Sequence, residues 1–495
     1  MKELQRLVRI INKNLPASSP LINLQEESTL ESRLFRLLRD CPSATEQVVA
    51  EELYGTKELP GSHRMLKSRF RKKIFNHLHF LNLPSDNLKS SNEVLYVCYT
   101  LLVEAQALIL QYELKAALRV LEQLKQIATK YENTEMQIRA LETLRGIYQD
   151  LRKLKELALS NAELEACYKV QAFERKALLL YDKMVATLKG HVADKAKALA
   201  LYPEVISKLW EMWESSGSSK IFSQWHILQI AYHELRGDYE EIISLIAKSE
   251  KIAAEEHVNK NWYNRKYNAY IEVYAHLQSR QYERGLLLAA EHIKLFDNSS
   301  SNWFSFMENY VLLALHHRDY EVAVLLLKAV VENEHLKKLS DSSLERWELY
   351  RLYLLFFQEN ALADKLYNTK EIANKLLILP KDKSGFNLAL LVLDVLNKLA
   401  EETVDDLEPH AERVRKYVHK YLKGEKAVRP RLFMRLVLLA LTKDDPEELR
   451  EQSADLLVKL QAAPLPGDAF AEVEIVPYEH LWDLIGQLLE KRRAR

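Results

Sequence analysis

The stretch WHILQIAYHELRGDYEEIISLIAKSEKI, from Trp225 to Ile252, holds two amphipathic patterns joined by one short polar break. Trp225, Leu228 and Tyr232 stand at offsets of three and four, which puts all three on one face of an α-helix. Arg236-Gly237-Asp238 interrupts the pattern, and residues 241–252 carry a second apolar stripe. A break of that length joins antiparallel helix neighbours. The stretch therefore reads as a helical hairpin.

Working outward, the same triplet recurs. Tyr267-Tyr270-Tyr274, Trp303-Phe306-Tyr310, Trp347-Tyr350-Leu354, Phe386-Ala389-Leu393 and Phe433-Leu436-Ala440 follow, with starts 42, 36, 44, 39 and 47 residues apart. Tyr96-Tyr99-Val103 and Tyr181-Met184-Leu188 are candidate earlier rungs. Further stripes occupy residues 108–124, 283–295, 321–331 and 387–399, separated by polar breaks such as 297–299, 381–385 and 443–446. Regular recurrence at such a period is the signature of a stacked repeat array. An irregular helical bundle with accidental spacing is the competing reading.

The unit Trp225…Leu228…Tyr232…Gly237-Asp238-Tyr239-Glu240 resembles the tetratricopeptide-repeat family, with its large aromatic, apolar +3 residue, +7 tyrosine and Asp-Tyr turn. Gln281-Tyr282-Glu283 and Asp319-Tyr320-Glu321 repeat the turn. The period is nearer 40 than the family's 34, the small residue beside +3 is mostly absent, and the terminal prolines are missing. HEAT-like pairs come closer in period. The resemblance implies an all-α, TPR-like α-solenoid and a protein- or peptide-binding role.

Composition agrees with an all-helical chain. Gly 11 and Pro 13 together make about 5% of 495 residues, against an average near 12%, leaving few turns for a β-rich or doubly wound fold. Lys+Arg and Asp+Glu are both 70, so no field acts over the whole chain. Hydrophobic content of 48% with a mean hydropathy of −0.26 indicates a folded chain. Three widely spaced cysteines, Cys41, Cys98 and Cys167, argue against a disulfide framework. Each lies among apolar neighbours and reads as a buried thiol. With no signal-like start and no long uncharged apolar run, a cytoplasmic location without membrane contact is expected.

Several chemistries are disfavoured. No two glycines are closer than Gly55 and Gly61, so neither GxGxxG nor the GxxxxGK[ST] loop can be present. No two of the fifteen histidines stand at i+3 or i+4. Glu332-Asn333-Glu334-His335 is a lone Glu-x-x-His, where a di-iron bundle needs two. His317-Arg318-Asp319 imitates a kinase catalytic loop without its asparagine, DFG triplet or glycine-rich loop, and falls where the repeat puts a turn. No catalytic residue, cofactor or metal site is expected.

Two sets of binding residues remain. First helices of solenoid pairs line the concave face, and here they carry Asn264, Tyr267, Asn268, Asn302, Asn309, Arg346 and Arg351. Asn264 and Asn268, four apart, would share a face and hydrogen-bond the backbone of an extended peptide. Alternatively, these residues pack and solvate ordinary helices. The second set lies in residues 1–84, whose net charge is +5 against −5 for the remainder. Residues 59–85 contain no Asp or Glu but six cations. Leu66, Phe70, Ile74, Leu78 and Leu81 make an apolar stripe, with Arg64, Lys67 and Arg71 on one flank and Arg69, Lys72 and Lys73 towards the other. Following a helix over residues 45–54, opened by the capping box Ser43-Ala44-Thr45-Glu46, this resembles a helix-turn-helix whose second helix could meet phosphates. Only Arg64 suits base readout at the helix start, and the turn is long. Docking on an acidic stretch such as residues 401–412 is the competing reading.

The expected organisation is a basic helical domain over residues 1–84, a TPR-like array over 85–461 and a capping segment over 462–495. Within that last segment, residues 464–468 read as a turn, 473–476 as extended and 478–491 as a closing helix. The expected function is a non-catalytic protein- or peptide-binding scaffold. A nucleic-acid-binding regulator with a ligand-sensing solenoid is the alternative.

Overall fold

The computed structural model describes residues 21–23, 29–41, 44–56, 58, 60–77, 91–188, 199–357, 387–400, 407–422, 427–443, 445–463 and 474–493. Helix makes up 84% of it, in 20 α-helices that pack in neighbouring pairs, and no strand occurs among the described residues. The chain is all-α. It divides into two compact units, residues 1–176 with 216–218, and residues 177–215 with 219–495. Expectations for residues 4–14, 78–81, 381–386 and 464–473 lie outside the described residues.

In the first unit, α1 (Leu30–Asp40), α2 (Glu46–Tyr54) and α3 (Ser62–His77) surround a small core of Leu34, Val49, Leu53 and Leu66. Thr29 caps α1 by accepting from the Ser32 amide, and Gly55 ends α2 with φ 71°, a left-handed geometry that glycine adopts freely. The anticipated capping box at α2 is not seen: Thr45 is the N-cap and its side chain makes no cap hydrogen bond.

Next come α4 (Ser91–Leu110), α5 (Leu114–Lys130), α6 (Thr134–Asp150) and the start of α7 (Leu154–Leu188), with Cys98, Ala105, Leu121, Leu124 and Leu144 at the centre of their core. The stripe read through residues 108–124 is in fact two helices, because the chain turns at Gln111–Glu113. Tyr99 and Val103, proposed rungs, face outward on α4. This helix is long and apolar enough over Asn92–Leu110 to cross a membrane by length and composition, with mean hydropathy 1.6, and 22% of that window is buried.

The second unit continues with α8 (Tyr202–Ser216), α9 (Ser219–Arg236), α10 (Tyr239–Glu255), α11 (Arg265–Gln278), α12 (Tyr282–His292), α13 (Ser301–His316), α14 (Tyr320–Val331) and α15 (Asp341–Leu355). Then follow α16 (Asn387–Ala400), α17 (Glu408–Tyr421), α18 (Val428–Thr442), α19 (Pro446–Ala462) and α20 (Tyr478–Arg493). The ladder falls on helices: Trp225 lies in α9, Trp303 in the first turn of α13 and Trp347 in α15, all buried. Trp225 meets Trp210 and Phe222 at ring-centroid distances of 4.8 and 5.3 Å. From Val273 to Leu489 the apolar residues form one continuous core.

One turn recurs across both units. Tyr112, Glu132, Arg152, Gly237, Arg280 and Arg318 all have φ between 48° and 76° and directly precede the last residue before a new helix. At each, the next amide donates back to a carbonyl five residues earlier, as in Asn133 to Ala128 at 2.8 Å and Asp319 to Ala314 at 2.9 Å. This closure satisfies carbonyls orphaned at the helix end. Only Gly237 escapes the steric cost of the left-handed region, about 1–2 kcal/mol for an L-residue.

Two of these turn residues hold the C-terminal segment. Arg280 donates to the carbonyls of Gln461 and Ala463 at 3.2 and 2.8 Å, and Arg318 pairs with Asp483 at 2.7 Å. Beneath them Arg429 is buried, bonded to both carboxylate oxygens of Glu474 at 2.6 and 2.7 Å and to Glu479 at 2.6 Å. The Tyr478 ring stacks on Phe433 at 4.3 Å. Residues 474–477 form no strand, so the extended piece expected at 473–476 is an irregular connection where described; α20 confirms the closing helix.

Candidate functional site

The first helices of the second unit's hairpins, α9, α11, α13 and α15, carry the first set of residues singled out in the sequence. Asn264 does not lie on a helix face. It is the N-cap of α11, its Oδ1 accepting from the amides of Lys266 and Tyr267 at 3.0 and 3.2 Å. Asn268 is 1% exposed, and its Oδ1 accepts from His226 Nε2 at 2.9 Å, while His226 Nδ1 accepts from the Ser249 hydroxyl at 3.0 Å. Burial lowers the His226 pKa to about 4, which keeps the ring neutral, and the Asn268 Oδ1 acceptor places its one proton on Nε2. Asn268 thus ties α9, α10 and α11 together through His226, and Asn264 serves as the cap of α11.

The remaining residues come together. Tyr270 on α11 lies close enough to Asn309 and Glu308 on α13 to be influenced by both, and Glu308 accepts from Tyr350 on α15 at 2.7 Å. Arg346, one turn before Tyr350, reaches Glu308 at 3.3 Å. Polar side chains from three successive first helices thus lie together, with direct contacts between α13 and α15. Tyr267 is half-buried beside them, Asn302 is exposed at the start of α13, and Arg351 pairs with Glu348 at 3.1 Å. Burial, reinforced by Glu234, raises the pKa of Tyr267, Tyr270 and Tyr274. Burial likewise raises Tyr350, with Glu308 adding to it, so these hydroxyls are neutral donors. Glu348 is raised by burial against the opposing charge of Arg351.

Sequence reasoning missed Tyr270, Glu308 and Tyr350 as members of this surface. The signal was present: among the rungs from Trp225 onward, Tyr270 and Tyr350 put a hydroxyl at the +3 position where the others carry only carbon. The partly exposed Glu308 and Arg346, held by buried Tyr350, together with exposed Asn302, can hydrogen-bond a polypeptide backbone and its side chains.

On α3 the six cations divide. Lys67 pairs with Glu46 of α2, Arg69 reaches Glu31 of α1 at 3.2 Å, and Lys73 lies 3.9 Å from the same carboxylate. Arg64, Arg71 and Lys72 are exposed and have no carboxylate partner among the described residues. Arg71 lies 5.6 Å over the exposed Phe75 ring. The flanks expected from the sequence are therefore redrawn: Lys72 joins Arg64 and Arg71, while Lys67 is engaged.

The other motifs resolve into local structure. Arg318 and Asp319 of the kinase-like triplet make the α13–α14 turn, Asp319 accepting from the Val322 amide at 3.1 Å. Glu332 ends α14 and pairs with Lys328 at 3.7 Å, and His335 pairs with Glu334 at 3.3 Å. Cys41 is exposed, contrary to the buried reading, because it follows the last residue of α1. Cys98 is buried, which pushes its thiol up to about 11. Among the described residues no three His, Cys, Asp or Glu side chains gather as a metal-holding group. Comparison with family models, curated proteins and solved structures found no match.

Proposed function

We propose that the second unit is a TPR-like helical-hairpin array that works as a non-catalytic scaffold, binding a protein or peptide on the face of its first helices. The observation that carries this reading is the cluster in which Glu308 of α13 holds Tyr350 and Arg346 of α15 beside Tyr270 of α11, with Glu308 and Arg346 partly exposed. Tyr350 is itself part of the core and Tyr270 packs against it, so the cluster is backed by rigid packing. Held side chains lose little further entropy when a ligand engages them, which favours recognition on helices over recognition on loops.

A random-peptide display selection against the full chain tests the reading. Enriched peptides should lose about tenfold or more in affinity for an N302A/R346A double variant, a lost hydrogen bond to the Arg346 guanidinium weighing about 1.5–3 kcal/mol and one to the neutral Asn302 amide about 0.5–1.5 kcal/mol. The melting temperature should not change by more than a degree or two, since both residues are partly or fully exposed. Peptides that bind wild type and variant equally, or no enrichment at all, would contradict it.

A further inference from the structure

We propose a second interaction surface, independent of the peptide-binding reading: the outer face of α3 binds duplex DNA through its phosphates. The helices α1–α3 form their own small core, drawn from residues 30–70 alone, and α3 turns one side away from it. On that side Arg64, Ser68, Arg71 and Phe75 stand at offsets of four, seven and eleven, and Lys72 lies beside them. The arrangement of charge is selective. Lys67 and Arg69, at the two edges of the exposed side, and inward-facing Lys73 are neutralised by Glu46 and Glu31 from the helices packed against α3. The cations at the centre, Arg64, Arg71 and Lys72, are left without carboxylate partners among the described residues. An ordinary solvated helix face mixes signs, and this one carries no acidic residue from Ser62 to His77.

Duplex DNA matches this face in charge and dimension. Arg64 and Lys72 are separated by about 12 Å along the helix axis, while B-DNA carries one negative charge per roughly 1.7 Å of its own axis. Several phosphates therefore fall within reach of three cations. An α-helix fits the wide major groove of B-DNA, whereas the deep, narrow major groove of duplex RNA does not admit it. The order α2, turn, α3 also presents the second helix as the reading element, with Arg64 and Ser68 at its start.

Fluorescence anisotropy with the full chain and a short mixed-sequence DNA duplex tests the proposal. Three phosphate contacts predict a roughly 40-fold fall in affinity between 50 and 200 mM salt. The R64A/R71A/K72A variant should bind about tenfold or more weakly at the lower salt and lose nearly all of that salt slope. Its circular dichroism and melting temperature should match wild type, since none of the three contributes to the core. A charge-matched control, K248A/K251A/K260A in the second unit, should leave affinity and slope unchanged. Failure of wild type to bind the duplex at low salt would overturn the proposal. So would equal losses in the two triple variants, or tighter binding to duplex RNA or polyglutamate than to DNA.

Discussion

At the residue scale, six hairpin turns among the described residues share one closure, and five of them use a residue that the left-handed region penalises. Glu132 and Arg152 are the clearest cases, since neither side chain holds another segment in place as Arg280 and Arg318 do. Glu132→Gly should raise stability by about 0.5–1 kcal/mol, the relief of left-handed strain less the backbone entropy that glycine adds. Gly237→Ala should lower it by about 1 kcal/mol for the reverse reason. Denaturant midpoints of the two variants check both signs. The same comparison explains why some turns are easier to read than others. Gly237-Asp238-Tyr239 announces itself, whereas Tyr112, Glu132 and Arg152 are not turn formers, so the pattern in residues 108–124 continues across a break it does not reveal. Asn264 and Asn268 fail similarly: an offset of four means a shared face only inside a helix, and α11 begins at Arg265.

At the element scale, paired helices approach most closely where side chains vanish. A Cβ on Gly285 of α12 would sit 2.7 Å from Leu313 Cδ2 of α13 and 3.0 Å from His276 Cβ of α11. Gly285→Ala should therefore cost about 1–3 kcal/mol by forcing these helices apart, despite alanine's better helix propensity. If the variant melted at or above wild type, the close approach of α11, α12 and α13 would be wrong. The opposite change is expected at the ladder. Trp225 is 3% and Trp303 9% exposed, and replacing either with alanine should cost about 3–5 kcal/mol in a thermal or chemical melt. The ladder is legible in the sequence because aromatic residues at offsets of three and seven can share a face only in a helix, and because a buried face tolerates little else. The polar contacts made by some of its members are less legible. Tyr270, Glu308 and Tyr350 meet across helices 38 to 42 residues apart in sequence, and no local spacing encodes that.

At the scale of the whole molecule, buried histidines tie stability to pH. Burial lowers His226, His316 and His480 to about 4, His316 donating its Nε2–H to the Glu474 carbonyl at 2.8 Å. In the unfolded chain these rings take up protons below about pH 6.5, and in the folded chain only near 4. Stability is then full above about 6.5 and falls as pH drops towards 4, by up to about 3 kcal/mol each for His226 and His316. His292, raised by its bond to Glu272, acts in the opposite sense and stabilises more at low pH. Urea melts between about pH 7 and pH 4.5 should show the net decline. The H316Q variant should flatten it by up to one proton, and an unchanged slope would remove His316 from the account.

The central claim is that the first-helix face of the second unit receives a polypeptide. Site-directed photocrosslinking measures this most directly, with a benzophenone side chain placed at exposed Asn302 of α13 or, as the control, at exposed Lys328 of α14. With a selected peptide or a native extract as the source of ligand, crosslinks to polypeptide should form from position 302 and not from position 328. The N302 crosslink should also be lost when Arg346 is changed to alanine. Equal crosslinking from both positions, or from position 328 alone, would contradict the account.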